Sequence, residues 1–116
     1  MRHQKKNRKF GREKTQRTAL LRSLALSLVR EGKIVTTEAK AKELRPYIEK
    51  LITQGKEEGI RTLRLAASRL GGSSAGAKSI REISARYRGR KGGYTRITKL
   101  SPYKSDGRKM AVIEFV

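Results

Sequence analysis

Two stretches of this chain hold most of its positive charge, so the fold has to be built mainly from the residues between and around them. Residues 1–17 carry Arg2, Lys5, Lys6, Arg8, Lys9, Arg12, Lys14 and Arg17 against Glu13 alone, a net of +7. Residues 86–109 carry Arg86, Arg88, Arg90, Lys91, Arg96, Lys99, Lys104, Arg108 and Lys109 against Asp106 alone, a net of +8. Residues 18–85 hold 13 basic and 7 acidic side chains, an ordinary mixed helical surface. The total is +20, and a compact body with that charge repels itself unless a polyanion supplies the countercharge. Nucleic acid is the leading partner class, with an anionic membrane as the competitor.

A length of 116 residues suits one domain, and 35% apolar content without Trp limits the core to one layer of helices against a small sheet. The expected class is α+β, a two-layer α/β domain over residues 15–116 behind a basic arm at residues 1–14. Without cysteine there is no disulfide framework, thiolate metal site or Cys nucleophile. No apolar run reaches the length of a membrane span. The basic start followed by the apolar stretch Ala19–Val29 resembles a targeting peptide, but Arg22 interrupts it and no cleavage-like small-residue motif follows.

Residues 1–14 contain one large apolar residue, Phe10, and should become ordered only on a partner. From Thr15 to Glu31, Leu20, Leu21, Leu24 and Leu28 recur at helical spacing, predicting a helix with a leucine core stripe and Gly32 as its left-handed cap. The β-branched Lys33–Thr37 segment predicts a strand. Thr37 then caps a second helix, with Ala41, Leu44, Ile48, Leu51 and Ile52 inward and Pro46 expected to kink or divide it. Gly55 and Gly59 bracket a break before a third helix patterned by Ile60, Leu63, Ala67 and Leu70. Gly71–Gly76 predicts a flexible connection, and Ser79 with Glu82 a capping box opening a short fourth helix with Ile80, Ile83 and Tyr87 inside. Tyr94–Leu100 and Met110–Val116 predict two strands of a hairpin whose long basic loop contains Pro102, Lys104, the Asp106-Gly107 turn and Arg108.

Catalytic patterns are weak. Gly71–Ser79 resembles a phosphate loop, but Ala77 separates the last Gly from Lys78 and a helix, not a strand, precedes it. His3 is the only histidine and lies in the arm, where no core could orient it for a triad or a metal. Glu43, Glu49, Glu57 and Glu58 sit among basic neighbours and read as solvated ion pairs. The chain therefore reads as a binding protein, with no enzyme chemistry, cofactor, metal or small-molecule substrate implied. An architectural DNA-binding protein is the alternative, although neither a groove-entering wedge nor a recognition helix is visible.

Several blocks carry a family resemblance: Met1-Arg2-His3 with Lys5, Arg8 and Arg12; Arg17–Arg22; Gly32–Thr37; Lys40–Pro46 with Glu49 and Leu51–Thr53; Gly92–Ile97; and Met110–Val116. In this order they resemble the family of bacterial large-subunit ribosomal protein seventeen over nearly the whole chain. Two departures are Gln16, where the family often has His, and a loose match from the third helix through Gly76.

The resemblance implies an α/β fold with an early strand, several helices and a final pair of strands. It also implies a cytoplasmic place in the large ribosomal subunit, on its solvent side near the peptide exit region. The partners would be large-subunit (23S) ribosomal RNA and neighbouring ribosomal proteins. Arg2, His3, Lys5, Lys6, Arg8, Lys9 and Arg12 are expected to follow RNA backbones, extended by Arg17. His3 and Phe10 are candidates for base stacking, with Phe10 equally suited to stapling a helix. Lys40, Lys42 and Arg45 would form a secondary contact on one side of the second helix. Arg88, Arg90, Lys91, Tyr94 and Arg96, with Gly92-Gly93 allowing close backbone approach, would form the other main surface.

Overall fold

A computed structural model of the chain describes residues 14–57, 59–100 and 109–116. The expected arm and the hairpin loop's Pro102, Lys104, Asp106, Gly107 and Arg108 lie outside the described residues, as does Glu58. Within them the order is α1 (Lys14–Glu31), β1 (Lys33–Thr37), α2 (Glu38–Gly55), α3 (Ile60–Arg69), α4 (Ser74–Arg86), β2 (Thr95–Lys99) and β3 (Met110–Phe115). This is the α+β arrangement expected: one helix, a strand, three helices and two strands.

The three strands form an antiparallel sheet in the order β1-β3-β2, with Ile34, Ile113 and Ile97 in one cross-strand row. β3 is central because it has the only strand residues that are both apolar and fully buried, Ala111 and Ile113. Gly32 ends α1 with φ +83° and donates to the Leu28 carbonyl at 2.7 Å, which lets the chain turn directly into β1. Thr37 closes β1 and caps α2, its hydroxyl accepting from the Lys40 N–H at 3.3 Å.

All five inward residues expected of α2 are buried. Pro46 does not divide that helix. It sits on the exposed side, where the carbonyl that loses its usual N–H partner can turn to water, and the apolar row holds the helix on both sides of it.

Three other expectations need correction. The inward face of α1 is Ala25, Leu28 and Val29, while Leu20, Leu21 and Leu24 are only partly buried. With leucines on several sides of the helix, the small Ala25 marks where a neighbour comes closest. In α3, Ile60 is 67% exposed and the inner row runs through Leu63, Ala66, Ala67 and Leu70. A first-turn residue is buried only where a neighbouring element extends that far.

The fourth helix begins at Ser74, so Gly76 is helical and Ser79 and Glu82 lie inside it. Its cap is Ser73, whose hydroxyl accepts from the Gly76 N–H at 2.9 Å. A glycine is poor for helix propensity, but here packing overrides propensity: a Cβ on Gly76 would lie 3.0 Å from both Leu26 Cδ1 and Leu70 Cδ1.

Buried residues from all four helices, β3 and the approach to β2 form one hydrophobic cluster. Helices α2 and α4 approach closely at Gly55, where a Cβ would lie 2.4 Å from Ser84 Oγ and 3.0 Å from Ile80 Cγ2. Gly55→Ala should therefore destabilise the fold by about 1–3 kcal/mol, the usual cost of overpacking. Adding Ser84→Ala should recover part of that loss, because it removes the nearest clashing atom. Urea unfolding of the two single variants and the double variant measures this coupling.

Candidate nucleic-acid interface

One side of α2 builds most of the interface scaffold. Glu38, Lys42, Arg45, Glu49, Thr53 and Lys56 recur at three- and four-residue spacing, so they form a stripe beside the buried row. Glu38 Oε1 meets Lys42 Nζ at 3.0 Å and Lys99 Nζ, from β2, at 3.5 Å. Arg45 donates to the Thr95 carbonyl at 3.4 Å, and its Nε lies 3.8 Å from Glu49 Oε2. Glu49 Oε2 also accepts from the Thr95 N–H at 3.2 Å and the Thr95 hydroxyl at 2.8 Å, fixing the start of β2.

Further along the stripe, Thr53 and Lys56 hold the segment between α4 and β2. Thr53 Oγ1 and the Tyr94 hydroxyl share a 3.1 Å hydrogen bond, and that hydroxyl also lies 3.3 Å from the Arg90 carbonyl. Lys56 Nζ donates to the same carbonyl and stands 4.8 Å from the Tyr94 ring centroid. The Tyr87 and Tyr94 rings are 5.3 Å apart at 50°. Tyr87 bonds through its hydroxyl to the Val116 carbonyl, and the Val116 N–H donates to the Tyr94 carbonyl at 2.9 Å. Two buried tyrosines thus pin both ends of a loop from Arg88 to Gly93, while the side chains of Arg88, Arg90 and Lys91 are exposed. Gly93 adopts φ +64°, a conformation that disfavours side chains; Gly92 has no such requirement.

The expected surface is therefore only partly assembled as anticipated. Arg88, Arg90 and Lys91 share one exposed loop. Tyr94 is fully buried, so it positions that loop and cannot offer its ring to a partner. Its aromatic area and its hydroxyl both find partners inside the protein, as buried tyrosines require. Arg96 lies on the sheet, where Nε and Nη2 donate to Glu114 Oε1 at 3.1 and 2.8 Å. Lys42 and Arg45 lie on the α2 stripe beside carboxylates. Lys40, two residues before Lys42, falls roughly on the other side of the helix at ~3.6 residues per turn, so the three do not share one side. Arg17 is partly buried on α1, and the arm residues Arg2, His3, Lys5, Lys6, Arg8, Lys9 and Arg12 lie outside the described residues.

The sequence reading missed Glu49, Thr53 and Lys56 as supports of the loop. Their spacing of four and three residues along α2 was the available signal.

Lys42 hydrogen bonding holds the Glu38 carboxyl below its ordinary value of 4.5, helped by the charges of Lys42 and Lys99 and opposed by desolvation. Hydrogen bonding from Lys56 and then Thr53 lowers the Tyr94 phenol from its ordinary value, against the effect of burial. Among the described residues no group of three or more acidic or histidine side chains could hold a metal ion. None of the described helices is long and apolar enough to cross a membrane.

The family described as Ribosomal protein L17 matches residues 20–116, which include every element after the first turns of α1. The chain belongs to this family. Among its relatives, Large ribosomal subunit protein bL17 of Gemmatimonas aurantiaca is 48% identical over 116 residues, covering 100% of this chain and 98% of the relative. The protein of the same name from Sphingopyxis alaskensis is 48% identical, covering 100% of this chain and 84% of the relative. That of Thermomicrobium roseum is 44% identical, with 100% and 99% covered. The ribosomal protein L17 match thus takes in both the α2 stripe and the loop it supports.

Two outcomes follow from this geometry. Glu38 is ionised more readily in the folded chain, so its pairing stabilises above about pH 4.5 and is lost as pH falls through the lower folded value. Thermal melts of Glu38→Gln and the parent chain should differ at about pH 7 and converge towards about pH 3. Tyr94→Phe should cost about 1 kcal/mol in urea unfolding, the usual net value of a hydrogen bond, whereas Tyr94→Ala should cost about 3–5 kcal/mol.

Proposed function

We propose that the chain is a structural constituent of the large ribosomal subunit that binds and stabilises large-subunit ribosomal RNA through its basic surfaces. The observation that carries this reading is the exposed Arg88–Lys91 loop: cationic side chains projected into solvent from a backbone that two buried tyrosines and Lys56 hold in place. A preformed cationic loop loses little conformational freedom when it meets phosphate, and Arg matches the phosphate fork geometry that Lys does not. The names of the relatives support the ribosomal setting.

In this role Arg88, Arg90 and Lys91 contact phosphates directly, with Gly92-Gly93 keeping side-chain bulk away from the RNA backbone. Arg2, His3, Lys5, Lys6, Arg8, Lys9 and Arg12 extend the contact along neighbouring strands, with Arg17 at their root. Lys40, Lys42, Arg45 and Arg96 add charge around the body, reduced where carboxylates sit beside them. Shape and phosphate pattern dominate over base reading. Neighbouring large-subunit proteins near the peptide exit region complete the surroundings, and the role is assembly and stabilisation with no catalysis.

Binding of the full chain to protein-free large-subunit RNA across a salt series tests this reading. Each phosphate contact contributes roughly 0.7–0.9 to the slope of log affinity against log salt. Arg90→Gln with Lys91→Gln should lower the slope by about 1.5 and leave the thermal transition nearly unchanged. Deleting residues 2–12 should flatten it further. Equal affinity for random duplex DNA at physiological salt would favour the architectural DNA-binding alternative.

A further inference from the structure

On α2, Lys42 and Arg45 each have a carboxylate four residues away, Glu38 and Glu49. Helix α3 is built differently. It contains Arg61, Arg64 and Arg69 and no acidic residue at all. All three arginines are exposed, and among the described residues none of them forms an ion pair. Arg61, Arg64, Leu65 and Ser68 recur at three- and four-residue spacing, which sets them opposite the inward row of Leu63, Ala66, Ala67 and Leu70. Leu65, in the middle of that outer stripe, is 37% exposed. Neighbouring helices hold α3 at both ends: Arg81, from α4, donates to the Gly59 carbonyl at 2.6 Å, and Tyr47, from α2, donates its hydroxyl to the Arg69 carbonyl. The outer stripe therefore has a fixed place on the body.

The ordinary alternative is a solvated helix face, but such a face gains from acids spaced one turn from its bases, as on α2. Arg61 and Arg64 instead lie three residues apart, where like charges repel and weaken a helix. No capping side chain at Gly59 offsets that cost. A polyanion would remove the repulsion. The stripe also indicates which part of a nucleic acid it suits. It has no aromatic ring to stack on an unpaired base and no Asn or Gln amide to read a base edge. It offers two guanidinium forks that match phosphate oxygens, a hydroxyl, and an aliphatic side chain between them. The wide, shallow minor groove of A-form RNA presents the complementary set: phosphates, 2′-hydroxyls and ribose surface.

We propose that the outer face of α3 docks on a double-helical segment of RNA, with Arg61 and Arg64 on backbone phosphates, Leu65 against ribose and Ser68 towards a 2′-hydroxyl. The inference rests on the RNA-binding reading and adds a surface carried by a different element from the Arg88–Lys91 loop.

The test measures binding of the full chain to protein-free large-subunit RNA in a salt series, with a thermal melt of every variant and its incorporation into reconstituted large subunits. Arg61→Gln with Arg64→Gln should weaken binding about tenfold near physiological salt and lower the salt slope by about 1.5, the signature of two lost phosphate contacts. Its melt should match or slightly exceed the parent's, because the repulsion is gone. Arg61→Lys with Arg64→Lys should keep most of the slope. Leu65→Glu sets a carboxylate four residues from both Arg61 and Arg69; the new pairs support the helix while occupying its cations, so the melt should hold and binding should fall about tenfold. An RNA duplex of unrelated sequence should show the same loss in the Gln double variant, and a single strand should show little. Parent-like affinity and slope in both the Gln double variant and Leu65→Glu would overturn the α3 surface and leave the RNA reading intact. Failure of the parent chain itself to bind would overturn that reading and this one together. Loss confined to the single strand would overturn the double-helical assignment. Parent-like RNA binding with failure to enter large subunits would overturn the RNA contact in favour of an acidic protein neighbour, and melts lowered in both variants would assign the stripe a purely structural role.

Discussion

Burial of the Ala41-Leu44-Ile48-Leu51-Ile52 row of α2 is the interaction on which the rest of the structure depends. Through it α2 touches every other helix and all three strands. Fully burying a side chain of Leu or Ile size contributes roughly 1.5–3 kcal/mol, so four such residues and an alanine in one helix form a large share of a modest core. Their burial also fixes the rotation of the helix. Once that rotation is set, the Glu38–Lys56 stripe must face β2 and the loop before it, and Tyr47, Lys50 and Gln54 must face the end of α3.

Each face of α2 consequently has a distinct task. The stripe towards β2 mixes acid and base, and its carboxylates serve the fold: Glu38 links two lysines, and Glu49 holds the first residue of β2. On another side Tyr47 ties α2 to the end of α3 by donating its hydroxyl to the Arg69 carbonyl. Beyond the stripe, the Arg88–Lys91 loop projects charge from a backbone secured by buried rings. Paired charges shape the scaffold, whereas charges projected from the loop are those an RNA partner would neutralise.

Much of the scaffold was legible because local signals and packing agree. Gly32 and Thr37 carry helix-end chemistry that the structure uses directly, and the α2 row follows helical spacing without exception. Disagreement arose where packing overruled local preference. Gly76 looks like a linker residue until Leu26 and Leu70 are seen to leave no room for a side chain. Pro46 looks like a helix break until its exposed placement shows how the helix continues past it. Tyr94 stood among arginines and glycines in sequence and so read as a surface contact. Two of its partners, Thr53 and Lys56, lie far away along the chain, and only the fold brings them to it.

The central claim is that a rigid scaffold presents the exposed Arg88–Lys91 loop to RNA. Lysine acetylation footprinting of intact large subunits containing this chain, before and after ribonuclease digestion, tests it most directly. The account predicts that Lys91 is shielded in the intact particle and becomes reactive once the RNA is removed, while Lys42, beside Glu38, changes little. Equal reactivity of Lys91 before and after digestion would contradict it.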